Sequence, residues 1–279
     1  MNYKKLEIFN CYNCNLTELP EYLPNSLIEL YCYNNDLSIN GIPELPYSLT
    51  DLDCSVNKLI KLPNLPNSLT YFACDENNLT ELPNLPNLLT NLYCYENKLI
   101  ELPDLPNSLV LLNCNSNNLT GVPDLSNSLT HLICNDNNLT ELPDLPNSLI
   151  ELCCYNNNLS INGIPELPSN LKNFNCENNK LTELPDLPSS LTQFHSISGN
   201  LLHQTYYCCQ PDTTIKINEM FLININQTNA KNKGIKRMKL LNRTLLLEQS
   251  AKITMNPKRI ERLLDNSEID FFDGSFDTV

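Results

Sequence analysis

The sequence predicts a β-solenoid, with one short strand per turn of the coil and all strands stacked in parallel into a single sheet. Three observations carry that expectation. Residues 69–88 read LTYFACDENNLTELPNLPNL, residues 89–108 read LTNLYCYENKLIELPDLPNS, and the same twenty-residue phrase recurs down most of the chain. Cysteines keep step with it, since Cys54, Cys74, Cys94, Cys114, Cys134 and Cys154 stand at equal intervals. The composition is skewed towards Leu and Asn, with 19 Pro, 6 Gly and no Trp in 279 residues at 41% hydrophobic content. Such bias without a majority of charge signals repetition rather than disorder.

Aligning the leucines gives the phrase LxxLxCxxNxLTELPxLPxS, whose copies begin at Leu6, Leu27, Leu49, Leu69, Leu89, Leu109, Leu129, Leu149, Leu171 and, incompletely, Leu191. Over about residues 6–201 it resembles the leucine-rich repeat family, whose core is LxxLxLxxNxL, with Cys in place of the third Leu. The resemblance implies a right-handed horseshoe with a parallel concave sheet. Residues 1–201 are then expected to form a solenoid of about ten repeats of 20–22 residues, and 202–279 a capping and helical tail.

Positions are numbered here from the first leucine of each repeat. Around positions 4–7 buried and exposed residues alternate, as in Leu92-Tyr93-Cys94-Tyr95, which predicts a strand. One strand per repeat, always running the same way, requires parallel pairing. Cys at position 6 should face the interior as a small, soft hydrophobe. A lattice of cysteines is no disulfide framework, and no CxxC pair is answered by a second pair or by histidines. Cys11 and Cys14 form a lone CxxC, both on repeat positions, so the thiols are expected to be free. The reactive ones are expected to be chiefly Cys153, Cys208 and Cys209.

At position 9 stand Asn35, Asn57, Asn77, Asn97, Asn117, Asn137, Asn157 and Asn179. The chain turns inward there and strands backbone groups, which an amide can satisfy as both donor and acceptor. Cys14 fills this position in the first copy, and Gly199 in the last copy is expected to end the ladder. The outer stretch LTELPDLPNS has two prolines and no helical period, which predicts an extended, polyproline-like convex side. Short repeats with LPxLP resemble those of enterobacterial type III effectors. Two repeats carry a two-residue insert in nearly the same wording, YCYNNDLSINGIPELP (31–46) and CCYNNNLSINGIPELP (153–168). Both are expected as neutral bulges on a loop.

Positions 3, 5, 7 and 8 should project from the concave sheet, and there the repeats stop agreeing. Variation on an invariant frame is the mark of a recognition surface. Tyrosine suits recognition, with large area, few rotamers and a polar tip. The candidate partner-binding residues are Tyr31, Tyr33, Asp51, Asp53, Asp75, Tyr93, Tyr95, Tyr155 and Glu177. Residues 1–201 hold 7 Lys and Arg against 23 Asp and Glu, a net of −16, while the remaining 78 residues hold 11 against 9, or +2. An acidic solenoid repels nucleic acid and anionic lipid and attracts basic protein surfaces.

The repeat fades after Leu202. Residues 215–225, IKINEMFLINI, are β-prone, and residues 202–225 are apolar enough to cap the last coil. Helices are expected near 235–251 and from Pro257 to Asp265, the second capped by Asn256. The run KNKGIKRMKLLNR (231–243), which overlaps the first helix, is basic. It reads either as a localisation or partner signal or as a solvated helix face docking onto the acidic solenoid, and the second is expected. The tail wording MNPKRIERLLDNSEIDFFDGSFD resembles that of leucine-rich repeat proteins encoded by giant DNA viruses of amoebae (mimivirus-like). That resemblance implies a viral protein expressed inside a host cell.

Catalytic signatures are missing: no P-loop, GxSxG or HExxH, and the histidines His131, His195 and His203 occupy unrelated places. The LPxLP effectors often append a ubiquitin ligase domain with a nucleophilic cysteine. Cys208-Cys209-Gln210-Pro211-Asp212 has the wrong spacing for it, and 78 residues are too few. The N-terminus lacks a signal-peptide run and the chain lacks a membrane-length apolar stretch, so a cytoplasmic location is expected. The sequence thus points to a non-enzymatic protein-interaction module without cofactor or metal, binding a protein with a basic surface. The alternative is a host-directed effector or adaptor whose tail recruits machinery such as ubiquitin components. A bare first coil further predicts weak self-association at the N-terminal end.

Overall fold

The computed structural model describes residues 6–182, 184–196 and 199–200, together with the backbone of a short strand at Ile215–Lys216. Ten three-residue strands, one per repeat, pair in parallel and in sequence order: β1 (Ile8–Asn10), β2 (Glu29–Tyr31), β3 (Asp51–Asp53), β4 (Tyr71–Ala73), β5 (Asn91–Tyr93), β6 (Leu111–Asn113), β7 (His131–Ile133), β8 (Glu151–Cys153), β9 (Asn173–Asn175) and β10 (Gln193–His195). An eleventh, β11 (Ile215–Lys216), pairs antiparallel with β10 and ends the sheet. The remaining tail expectations, including both helices, lie outside the described residues.

Register is strict. Position 3 always meets position 3 and position 5 meets position 5, as in Asp51–Tyr71–Asn91 and Asp53–Ala73–Tyr93. The strands proper cover positions 3–5, earlier than the alternation in Leu92-Tyr93-Cys94-Tyr95 suggests. Bonding between coils nevertheless continues beyond them, with the amides of Cys74, Glu76 and Asn77 donating to Tyr93, Tyr95 and Glu96 carbonyls at 2.9, 3.0 and 3.2 Å. The strand stops because position 8 turns left-handed. Asn13, Asn34, Val56, Glu76, Glu96, Ser116, Asp136, Asn156 and Asn178 all sit between φ 49° and 54°.

The core is the repeat phrase folded inward. In the repeat from Leu69, the side chains of Leu69, Phe72, Cys74 and Leu79 are fully buried. The same four positions stack coil on coil into one continuous core. All nine position-6 cysteines from Cys11 to Cys176 are buried and free, as expected, and burial holds their thiols protonated: Cys114 is pushed up to about 12 and Cys11 to about 11.

The expected asparagine ladder is present. Asn97 Oδ1 accepts from the Leu79 amide at 2.9 Å, and its Nδ2 donates to the carbonyls of Cys74 (3.0 Å), Cys94 (3.4 Å) and Tyr95 (3.2 Å). Its upper end differs from expectation. Gly199, at φ 67°, shifts the chain by one residue and the ladder continues on Asn200. That side chain accepts from the amides of Asn179 (3.2 Å) and Leu181 (3.1 Å) and donates to Cys176 and Ser196 carbonyls (2.9 and 2.8 Å).

Among the described residues the outer stretches contain neither helix nor strand, apart from a 3-10 turn at Ile161–Gly163 in the second insert. The inserts are more than neutral bulges. In each, the glycine carbonyl accepts an amide of the preceding coil, Gly41 from Leu19 and Gly163 from Leu142, both at 2.8 Å. A Cβ on Gly163 would come within 2.2 Å of the Thr140 carbonyl oxygen and one on Gly41 within 2.8 Å of Leu37 Cβ, so the glycine shared by the two inserts has a steric cause. A further ladder was not foreseen. The hydroxyl at position 20 reaches back to the leucine carbonyl at position 1, as Ser68 to Leu49 and Ser148 to Leu129 at 2.6 Å.

Candidate functional site

The concave face follows from the pleat. Within each strand position 4 points into the core, so positions 3 and 5 point the other way. From β2 to β9 the middle residue is buried and position 3 half-buried, and position 5 is half-buried too except at Ala73. Among the described residues no Lys or Arg occupies positions 3, 5, 7 or 8. The Lys58–Asp36 ion pair, at 2.6 Å, lies in exposed side chains off this face.

The candidate residues divide into two groups. Tyr31, Asp51, Asp53, Asp75, Tyr93 and Tyr95 share neighbouring coils from β2 to β5. Tyr33 stands at their edge, its ring stacked on Tyr12 at 4.9 Å and 5°. Tyr155 and Glu177 are half-buried on the coils of β8 and β9, separated from the others by Asn113, Asn115, Ile133 and Asn135. Two tyrosines belong to the first group that the sequence reading omitted. Tyr12 is one, and Tyr71, at position 3 of β4, tilts against Tyr93 with centroids 5.6 Å apart. The signal for Tyr71 in the sequence is an aromatic at position 3, one coil before the tyrosine at position 5.

Electrostatics bind this group together. Burial, then the Glu29 carboxylate, raises the Tyr31 phenol to about 12; burial, then Asp53, does the same for Tyr71. The phenols thus stay neutral donors beside carboxylates. Ser55 donates to Asp53 through both its amide (3.1 Å) and its hydroxyl. Asp75 is buried and hydrogen-bonded to Tyr95; burial pushes its carboxyl up to about 6, although the Tyr95 bond opposes the shift. It underpins the face more than it projects from it. Such an array can hold cations and aromatic-complementary surface, but it presents no activated nucleophile. Cys153, expected to be reactive, is half-buried, lies 3.6 Å from a Glu151 oxygen and is raised to about 12 by burial and that charge. The exposed thiol among the described residues is Cys14. Among those residues no cluster of three or more metal-binding side chains forms, and no helix is long and apolar enough to cross a membrane.

Ladder, sheet and face define a parallel-sheet β-solenoid whose structural neighbours are leucine-rich repeat proteins. YopM, a leucine-rich effector protein from Yersinia pestis, superposes with a TM-score of 0.61 at 35% identity, over 70% of this chain and 61% of YopM. The functional domain of InlJ from Listeria monocytogenes, which includes a cysteine ladder, gives 0.55 at 29%, over 70% of this chain and 49% of that one. A chain of the octameric complex of Latrophilin 3, Unc5D and FLRT2 (LRR) gives 0.54 at 26%, over 66% of this chain and 64% of that one. The chain therefore spans less than two thirds of each of these proteins. No family model and no curated protein matches it.

Proposed function

We propose that the chain is a non-enzymatic protein-interaction module that binds a partner with a basic surface on the concave face of β2–β5. Tyr31, Tyr33, Asp51, Asp53, Asp75, Tyr93 and Tyr95 form the principal site, with Tyr155 and Glu177 as a secondary one. The observation that carries this reading is the meeting of carboxylates and tyrosines on adjacent coils with no cation among them. Among the described residues no cation meets these carboxylates, so a Lys or Arg brought to the face supplies their counter-charge. Likeness to leucine-rich repeat proteins found in a protein assembly and as an effector supports a protein partner over a small substrate. Residues 1–201 act as the recognition unit and 202–279 as its cap and tail. The cytoplasm, with its reduced thiols, is the compartment that suits the free cysteines.

The test is proximity labelling of the cells that make the protein. Wild type is compared with Asp53→Lys/Tyr93→Ala and with a convex control, Asp104→Lys, at matched melting temperature. Loss of a basic protein set in the concave variant alone is the expected result. Equal labelling by all three would overturn the reading. A second reading, a host-directed adaptor whose tail recruits machinery such as ubiquitin components, draws on the likeness to YopM, an effector. It requires labelling that depends on residues 202–279 instead.

A further inference from the structure

Among the described residues the concave face lacks counter-charge, but the sequence does not. Residues 231–243, KNKGIKRMKLLNR, carry Lys231, Lys233, Lys236, Arg237, Lys239 and Arg243 with no acid, and lie outside the described residues. Where the described chain ends decides whether they can reach the face. β11 places Lys216 beside β10 at the end of the sheet. The link to Lys231 spans about 50 Å when extended, at about 3.3–3.6 Å per residue. With strands about 4.8 Å apart, β5 lies about 29 Å from β11 and β2 about 43 Å. Every coil of the tyrosine–carboxylate patch is within reach.

We infer that residues 231–243 dock across the β2–β5 face of their own chain, and so compete with the partner; the inference rests on the reading above. Lys and Arg meet Glu29, Asp51 and Asp53, and Arg237 or Arg243 can lie over the Tyr71–Tyr93 pair, where a guanidinium gains from the ring faces. The acidic convex side offers a poorer seat. Lys58, Lys61 and Lys98 project from positions 10 and 13, off the concave face, and an open surface focuses the field less than a concave one. Tethering raises the effective concentration to the order of millimolar, so a weak contact suffices.

Two measurements on the full-length chain test this. Carbodiimide joins Lys amines to touching carboxylates without a spacer. Cross-links from Lys231, Lys233, Lys236 or Lys239 to Glu29, Asp51 or Asp53 are expected, and their yield should not change on tenfold dilution. Links to convex carboxylates only, links joining light and heavy copies in an isotope mixture, or no links at all would overturn the inference. In the second, a synthetic peptide of residues 231–243 is added to wild type and to a full-length variant with all six cations changed to Gln. Binding at least tenfold tighter to the variant, abolished by adding Asp51→Asn/Asp53→Asn, is expected. Equal or absent binding rejects self-docking while leaving the partner-labelling result intact. Loss of concave-dependent labelling, with the cross-links present, rejects the partner reading instead.

Discussion

Position 9 and the concave positions 3, 5 and 7 lie a few residues apart in every repeat, yet one column is nearly uniform and the others vary. The asparagine column is uniform because each side chain accepts a buried backbone amide of the preceding coil and ties together carbonyls of two coils. Asn137 satisfies the Leu119 amide at 3.0 Å and three carbonyls, those of Cys114, Cys134 and Asn135, at 3.0–3.3 Å. The concave columns vary because the strand backbone pairs itself there and uses the side chain only in some coils, where Asp53, Asn113 and Asn175 accept the amide two residues on. Identity is repeated where the fold uses it and drifts where it does not. The drift on β2–β5 towards Tyr and Asp is what the proposed partner site draws on.

The largest effect should come from breaking the uniform column. Asn97→Ala leaves the Leu79 amide without its acceptor in the middle of the array and removes one of the donors to the Cys74, Cys94 and Tyr95 carbonyls. It is expected to cost about 1–3 kcal/mol in urea unfolding. Asp75→Asn should move stability the other way. The Asp75 carboxyl, raised to about 6 when folded, binds its proton more tightly folded than unfolded. Its presence therefore costs stability above that pH, and the cost fades as pH falls towards the ordinary carboxylate range. Asp75→Asn is expected to gain about 1–2 kcal/mol at pH 7–8 and nothing near pH 4, read from melting curves across pH.

A smaller gain is expected at position 8. Val56 holds φ 51°, where a β-branched side chain is strained, and four equivalent positions carry Asn. Val56→Asn should stabilise by about 1 kcal/mol. The smallest effect belongs to the variable column. Asn115 is half-buried and its amide meets only the Ser116 hydroxyl, at 3.0 Å, so Asn115→Ala should stay within about 0.5 kcal/mol of wild type. Equal melting for Asn115→Ala and Asn97→Ala would erase the distinction between the columns.

These columns also explain what could be read in advance. Cys94 and Asn97 announce themselves because their chemistry is used in every coil, so strand, core and ladder were legible by period alone. The left-handed turn at position 8 left no such mark. Its constraint is on φ, met by Asn, Ser, Asp, Glu and even Val, and no shared side chain records it. The continuation of the ladder on Asn200 was missed for a related reason, since a left-handed Gly199 shifts the register by one residue without changing the wording. On the face, the candidate positions were legible from the period of two. That Asp75 is buried beneath Tyr95 while Asp53 is only half-buried depends on neighbours one coil away, which a single repeat does not show.

The central claim, that the concave side chains Tyr31, Asp51, Asp53 and Tyr93 matter less to folding than a single ladder asparagine, has one direct test. Tyr31, Asp51, Asp53 and Tyr93 are changed together to Asn, the residue already found at position 3 in Asn91 and at position 5 in Asn113, and urea unfolding is compared with that of Asn97→Ala. Four substitutions on the face should shift the midpoint less than the single one in the ladder. A larger shift from the fourfold variant would mean that the tyrosines and carboxylates hold the coil together, and that the face was not kept for a partner.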